Sequence, residues 1–173
     1  MRMLVAAGLG LLVILGYMYV TGQLTRPAAD DPHVALPLQE LSGDLQRVPL
    51  LERVGANMTC TEDAAVGAGE MACFTAVESV DGLDAKYIAL FFDHEDRLAA
   101  VRVILEPDRH QINILRLTDA HGPASQEFED DARTWLVWTL EEGMMLTQKE
   151  APTDNRPTLT WFREADLAER LMR

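Results

Sequence analysis

From Met3 to Thr25 the chain carries no ionisable group except Tyr17 and Tyr19. A run of this length can cross a bilayer, because about 20 apolar residues span the hydrocarbon core. The expectation is therefore a transmembrane anchor over residues 1–25, with the two tyrosines near one membrane interface. A cleaved secretory signal is the competing reading. Arg2 is the only charge ahead of the run, the apolar stretch to Val20 is longer than a usual signal core, and Ala-x-Ala is missing around Val20 and Gly22. These features favour a retained anchor. No cysteine stands directly after the run, which rules out a lipoprotein anchor.

Arg2 and Arg26 flank the run evenly, and the free amino terminus tips the balance toward an N-terminus inside. The cysteines point the same way. Cys60 and Cys73 are the only two and both lie beyond the run, and an even count outside the cytosol suggests a disulfide. Gly67, Ala68 and Gly69 between them give the loop freedom to close. Such a closure stabilises a fold by about 3 kcal/mol in the chain-entropy picture. The alternative is a pair of buried free thiols. With no Cys-x-x-Cys, neither redox catalysis nor a four-cysteine zinc site is supported. The expected location is a bacterial inner membrane, crossed once, with the C-terminal domain in the periplasm.

The formal net charge is -13, and nearly all charged side chains lie beyond the apolar run. An acidic surface repels phosphate backbones and anionic lipid heads, so nucleic-acid binding is disfavoured. Residues 26–37 hold three prolines and two acids and read as a linker. Residues 38–173 then suffice for one core without a metal.

Within this domain, Leu38, Leu41, Leu45 and Val48 recur at helical spacing, and Pro49 either breaks that helix or starts a short one ending at Gly55. Strands are predicted over 71–80, 87–93 and 97–105, with the acidic turn Asp93-His94-Glu95-Asp96 joining the last two. The apolar run Tyr87-Ile88-Ala89-Leu90-Phe91-Phe92 suits a central strand. Val101, Val103 and Leu105 share one face, and Arg102 takes the other. A second helix opens at Pro107-Asp108, with Gln111 placed for a capping box, and closes at Gly122-Pro123. Its apolar positions are Ile112, Leu115 and Ile114, Leu117. Strands are then predicted over 134–140, 144–149 and 158–163, and a short amphipathic helix over 164–173 with Leu167 and Leu171 one turn apart. The expected fold class is α+β: an N-terminal transmembrane helix followed by an antiparallel-sheet domain. Its order is compatible with a tandem αβββ repeat, with halves 38–106 and 107–173.

A helix followed by an antiparallel meander resembles two groups: small outer-membrane assembly lipoproteins of the SmpA/OmlA type, and the β-lactamase inhibitor protein family. The residues that carry the likeness are His110, Leu115, Leu117, Gly122 and Pro123, then Trp135 and Trp138, then Leu159 and Trp161. It covers roughly residues 108–163 and is loosely specified. The resemblance implies a periplasmic protein-binding module without catalysis, and it transfers no binding residue.

Other residue clusters have simpler explanations. His94 among acids reads as a polar turn, and His110 and His121 are too far apart on one helix to share a metal. His33 stands in the linker without a partner in sequence. Glu127, Glu129, Asp130 and Asp131 read as a solvated loop, since the calcium-loop pattern is absent. There is no Gly-x-Ser-x-Gly. No catalytic residue, metal ligand or cofactor site is expected. Trp135 and Trp138 differ in parity, so a strand sends them to opposite faces. Leu136, Trp138 and Leu140 form the more apolar side, which leaves Trp135 as the outward residue and the candidate partner contact.

The expected function is a membrane-anchored protein-interaction domain, an accessory or assembly subunit of a cell-envelope complex. A tethered inhibitor or ligand-binding module is the alternative, and a small hydrolase comes third. A periplasm-dependent reporter fused after Arg173 should be active and a cytoplasm-dependent one silent. The reverse pattern overturns the orientation, and a mature N-terminus near Gln23 overturns the anchor.

Overall fold

The computed structural model describes residues 33–55, 57–62, 70–130, 133–153 and 156–163. The anchor over 1–25 and the helix over 164–173 lie outside these residues. Among the described residues no helix is long and apolar enough to cross a membrane.

Among the described residues ten strands form one hydrogen-bonded sheet. They are β1 (His33–Val34), β2 (Thr59–Thr61), β3 (Met71–Ala76), β4 (Ser79–Val80), β5 (Leu83–Phe92), β6 (Leu98–Leu105), β7 (Gln126–Asp130), β8 (Arg133–Thr139), β9 (Met144–Gln148) and β10 (Thr158–Phe162). Among the described residues two α-helices accompany them, α1 (Arg47–Val54) and α2 (His110–His121). The order across the sheet is β1-β4-β5-β6-β10-β9-β8-β7, and β3 joins β2 to β5 off this path.

This arrangement corrects the expected fold class. The sheet is mixed, because β1 runs parallel to β4, and strands far outnumber helices. The tandem αβββ plan fails for two reasons. Thr59–Thr61 and Ser79–Val80 add strands to the first half, and Gln126–Asp130 adds one to the second. The two halves then merge, since β10 pairs antiparallel with β6 along five residues. A sheet edge has unpaired N–H and C=O groups that need partners. The edges of β6 and β8 find them in β10 and β7. Glu127 and Glu129 do not prevent a strand, because charged residues at a sheet edge guard it against further pairing.

From His33 onward the proline-rich stretch is part of the fold. Val34 and Leu36 are buried, alongside Leu38 and Leu41. Helical spacing at Leu38 yields one 3-10 turn, Leu38–Glu40. The α-helix starts later, at Arg47, and stops at Gly55, whose φ of 66° suits glycine. Arg47 grips Asp96 through two hydrogen bonds of 2.9 and 3.1 Å, which ties α1 to the β5–β6 turn.

Helix α2 crosses the opposite end of the same sheet face. A 3-10 turn, Pro107–Arg109, precedes it, and no side chain caps its start. Gln111 instead donates to the Lys149 carbonyl at 3.0 Å. The buried side of α2 is formed by His110, Asn113 and Leu117, while Ile112 and Leu115 are exposed. Polar contacts hold it at three points. Asn113 accepts from the Asp84 N–H and donates to the Asp84 carbonyl, both at 2.9 Å. His110 Nε2 sits 2.8 Å from the Gln148 carbonyl, and Trp138 Nε1 donates to the Gly122 carbonyl at 2.9 Å. Apolar periodicity missed this face because two of its members are polar.

The helices and one sheet face enclose the main core, which includes Leu50, Val54, Ile88, Leu90, Phe92, Leu98, Val101, Leu117, Trp138 and Trp161. In the β8–β9 turn, Gly143 has φ of 95°, and a Cβ there would lie 2.3 Å from the Phe162 carbonyl oxygen. The backbone can therefore press on the Trp161 indole, which donates to the Glu142 carbonyl at 3.1 Å.

His110 gives the fold a pH dependence. Burial pushes its pKa below the usual histidine value, against the opposing pull of the Gln148 carbonyl. Nδ1 is buried without a hydrogen bond, so a proton there would have no acceptor. A histidine held neutral contributes stability above its unfolded pKa of about 6.5, and that contribution is lost as pH falls below it. The urea midpoint should drop between pH 7 and pH 5, and His110→Gln should flatten the drop. An unchanged slope in the variant removes His110 as its source; His121, also depressed by burial, acts with the same sign.

Candidate interaction surface

The sheet has a second apolar face, opposite the helices. Strand alternation puts Phe91, Ala100, Phe162 and Met144 in one row across β5, β6, β10 and β9. The next row holds Ala89, Arg102, Thr160, Leu146 and Val137. A third contains Tyr87 and Ile104 on one flank, and Gln148, Trp135 and Phe128 on the other. The centre is buried at Phe91, Ala100, Leu146 and Phe162, and the flanks are half-buried at Phe74, Phe128, Trp135 and Met144. Among the described residues this second cluster consists of strand residues alone, whereas the buried apolar side chains of both helices belong to the first.

Aromatic pairs mark both flanks. Phe74 stacks on Tyr87 with ring centroids 5.8 Å apart, and Phe128 stacks on Trp135 at 6.5 Å. Such pairs contribute about 0.5–1.5 kcal/mol beyond area burial. Three polar side chains on the face have a buried atom without a partner. Arg102 stands 6.0 Å over the Phe91 ring. Its Nε is buried without a hydrogen bond, as are Trp135 Nε1 and Gln148 Oε1. Gln148 is only 8 % exposed. Burial pulls the Arg102 pKa down, because a guanidinium loses hydration there.

The sequence placed Trp135 and Trp138 on opposite faces, and they are so placed: Trp138 is in the main core and Trp135 packs against the second cluster. Trp135 is half-buried rather than bare, because Phe128 on β7 lies beside it. That neighbour was hidden when Glu127 to Asp131 read as a loop. Arg102 had been assigned its face, but alternation alone does not show whether an arginine finds a counter-ion. Gln148 carried no signal, since its burial arises from strands distant in sequence.

A charged cleft of about 480 Å³ opens elsewhere, between the Gly43-Asp44 turn, the β5–β6 turn with His94, and Glu142-Gly143. Its strongest charges satisfy each other. Arg163 Nη1 reaches Asp93 at 2.9 Å, and Arg97 pairs with Glu95. Burial works to raise the Asp93 pKa, but the Arg97 backbone N–H and the Arg163 guanidinium hold it below the usual value. Asp93 also accepts the Glu95 and Arg97 backbone N–H groups, so it shapes the turn. His33 is at the other end of the domain, 2.9 Å from the Ser79 hydroxyl. Among the described residues no group of three or more His, Cys, Asp or Glu is placed to hold a metal ion.

Cys60 and Cys73 are directly opposed on β2 and β3 and joined by a disulfide, with Cα atoms 4.0 Å apart. Cys73 is buried in the main core, and β2 is exposed throughout. The bridge therefore fastens a three-residue strand that has little burial of its own.

No protein-family model matches the chain, and no curated protein matches it. Among solved structures it is similar to a DUF4309 family protein, YjgB, from Bacillus subtilis subsp. subtilis str. 168. Identity is 10%, the TM-score is 0.32, and the match covers 45% of this chain and 57% of that one. The chain thus spans less than two thirds of that protein's length.

Removing the bridge should loosen β2 first. Cys73→Ala should lower stability by about 2–5 kcal/mol. Non-reducing mass analysis should find the native protein two hydrogens lighter than its reduced form, and two free thiols in freshly isolated protein would contradict the bridge.

Proposed function

We propose that this chain is a membrane-anchored, extracytoplasmic protein-interaction domain, an accessory or assembly subunit of a cell-envelope complex. The observation that carries the reading is the flank of the second sheet face, where Trp135, Phe128 and Met144 are partly exposed. Tryptophan is enriched among the few residues that dominate binding energy. The Trp135 ring keeps some exposed surface, although its Nε1 is buried without a hydrogen bond. The apolar run from Met3 to Thr25 supports a membrane tether. The disulfide supports an oxidising compartment, and a bacterial periplasm combines both. The charged cleft favours a ligand-binding reading less, because its arginines are already matched by carboxylates.

Full-length chain purified in mild detergent should bring down a protein partner identifiable by mass spectrometry. Trp135→Ala should weaken that recovery by 1 kcal/mol or more, as expected for a binding hot spot, at a modest cost in melting temperature. Trp161→Ala should instead cost about 3–5 kcal/mol of stability, as loss of a buried aromatic does. If Trp135→Ala melts as low as Trp161→Ala, or the partner stays bound, Trp135 is structural and the docking assignment fails.

A further inference from the structure

The two ends of the Cys60–Cys73 bridge are unlike. Cys73 is fully buried in the main core, opposite Leu90 of β5. Cys60 is exposed, as are Thr59 and Thr61 beside it on β2. A thiolate opens a disulfide only at a sulfur it can reach. The core seals the Cys73 side, so attack falls on Cys60. Leaving-group chemistry works against this, because a thiol in apolar surroundings has a raised pKa and departs slowly. Access decides between the two effects. A slow leaving group lowers the rate, whereas a sealed sulfur stops attack in the folded state.

The bridge also joins a weak element to a strong one. β2 pairs with β3 through three residues, Thr59 with Phe74, Cys60 with Cys73 and Thr61 with Ala72. None of its side chains is buried. Met58, just ahead of it, packs against the main core and fixes the chain there without the bridge. On its other edge β3 pairs with β5 along six residues. Met71–Ala76 carries no charged residue. An uncharged strand edge is an open template for further pairing. Among the described residues, β2 is what pairs with that edge.

We infer that Cys60 is the site at which an external dithiol opens this bridge, and that opening it frees β2 and uncovers the β3 edge while the rest of the sheet stays folded. The attacking thiolate bonds to the Cys60 sulfur, and the bond from Cys60 to Cys73 breaks. Cys73 leaves as a thiolate and takes up a proton in place of the one the attacking thiol released. The second thiol of the reagent then displaces the Cys60 sulfur in the same way. The dithiol ends as a disulfide, and the domain ends with two thiols. The inference does not rest on the proposed docking role. It makes the bridge a latch that stays closed in an oxidising compartment until a dithiol reaches Cys60.

The test uses the full chain in mild detergent at neutral pH, with cysteamine as a monothiol probe and dithiothreitol as the dithiol. Peptide mapping after acid quench should place the cysteamine adduct on Cys60 and the free thiol on Cys73. Adducts on Cys73 in comparable amount overturn the one-sided attack. Low urea should leave the rate of opening nearly unchanged, because attack at Cys60 needs no unfolding. A rate that climbs with urea as steeply as the global unfolding equilibrium means that the bridge opens only in the unfolded chain, and the inference falls. After dithiothreitol, amides at residues 59–61 should lose their protection from hydrogen exchange while those of β5 and β6 stay protected. Retained protection at 59–61, or its loss throughout β5 and β6, overturns the release of β2.

Discussion

The structure depends on the hairpin of β5 and β6. These are its two longest strands, and their side chains are apolar on both sides of the sheet. Ile88, Leu90, Phe92, Val101 and Val103 require cover on one face, and Ala89, Phe91 and Ala100 on the other. Burying apolar surface contributes roughly 25 cal/mol per Å², so neither face can be left in water. The elements next to the hairpin answer these needs. β3, β4 and β10 complete its hydrogen-bonded edges, and α1 and α2 cover its first face.

Directional polar bonds decide where those covering helices lie. Hydrophobic contact alone would let α2 slide, because greasy surfaces tolerate many registers. Asn113 bonds Asp84 in both directions, His110 meets the Gln148 carbonyl, and Trp138 meets the Gly122 carbonyl. Those bonds reach β5, β9 and β8, so one helix bridges strands from both halves of the chain. Each gains only about 1 kcal/mol net, yet breaking one strands a buried polar group at larger cost. The same rule makes the unpartnered buried atoms conspicuous: Arg102 Nε, Trp135 Nε1 and Gln148 Oε1 on the second face, and Thr75 Oγ1, Thr147 Oγ1 and His110 Nδ1 on the helix side.

Much of the domain was legible in the residues, and the reasons are local. The apolar run at Tyr87 to Phe92, the alternation from Val101 to Leu105 and the glycine stop at Gly55 report their surroundings through periodicity and φ preference. Trp135 and Trp138 could be assigned opposite faces by parity alone. Two-residue strands such as His33–Val34 and Ser79–Val80 leave no periodicity to read. Gln126–Asp130 looked too acidic for a strand, and only its place at the sheet edge makes that composition favourable.

By itself the sequence determined which stretches could extend or coil, and that an apolar segment too long for an ordinary surface precedes the domain. It also made a bridge between Cys60 and Cys73 chemically available. Tertiary structure decided that the two halves share one mixed sheet instead of repeating a unit, and that β7 brings Phe128 against Trp135. It also decided that Arg102 meets an aromatic ring and no acid. The physical reason is range. Backbone preference and side-chain alternation act over a few residues, whereas strand pairing, burial and counter-ion choice depend on partners tens of residues away, whose approach only the folded chain defines.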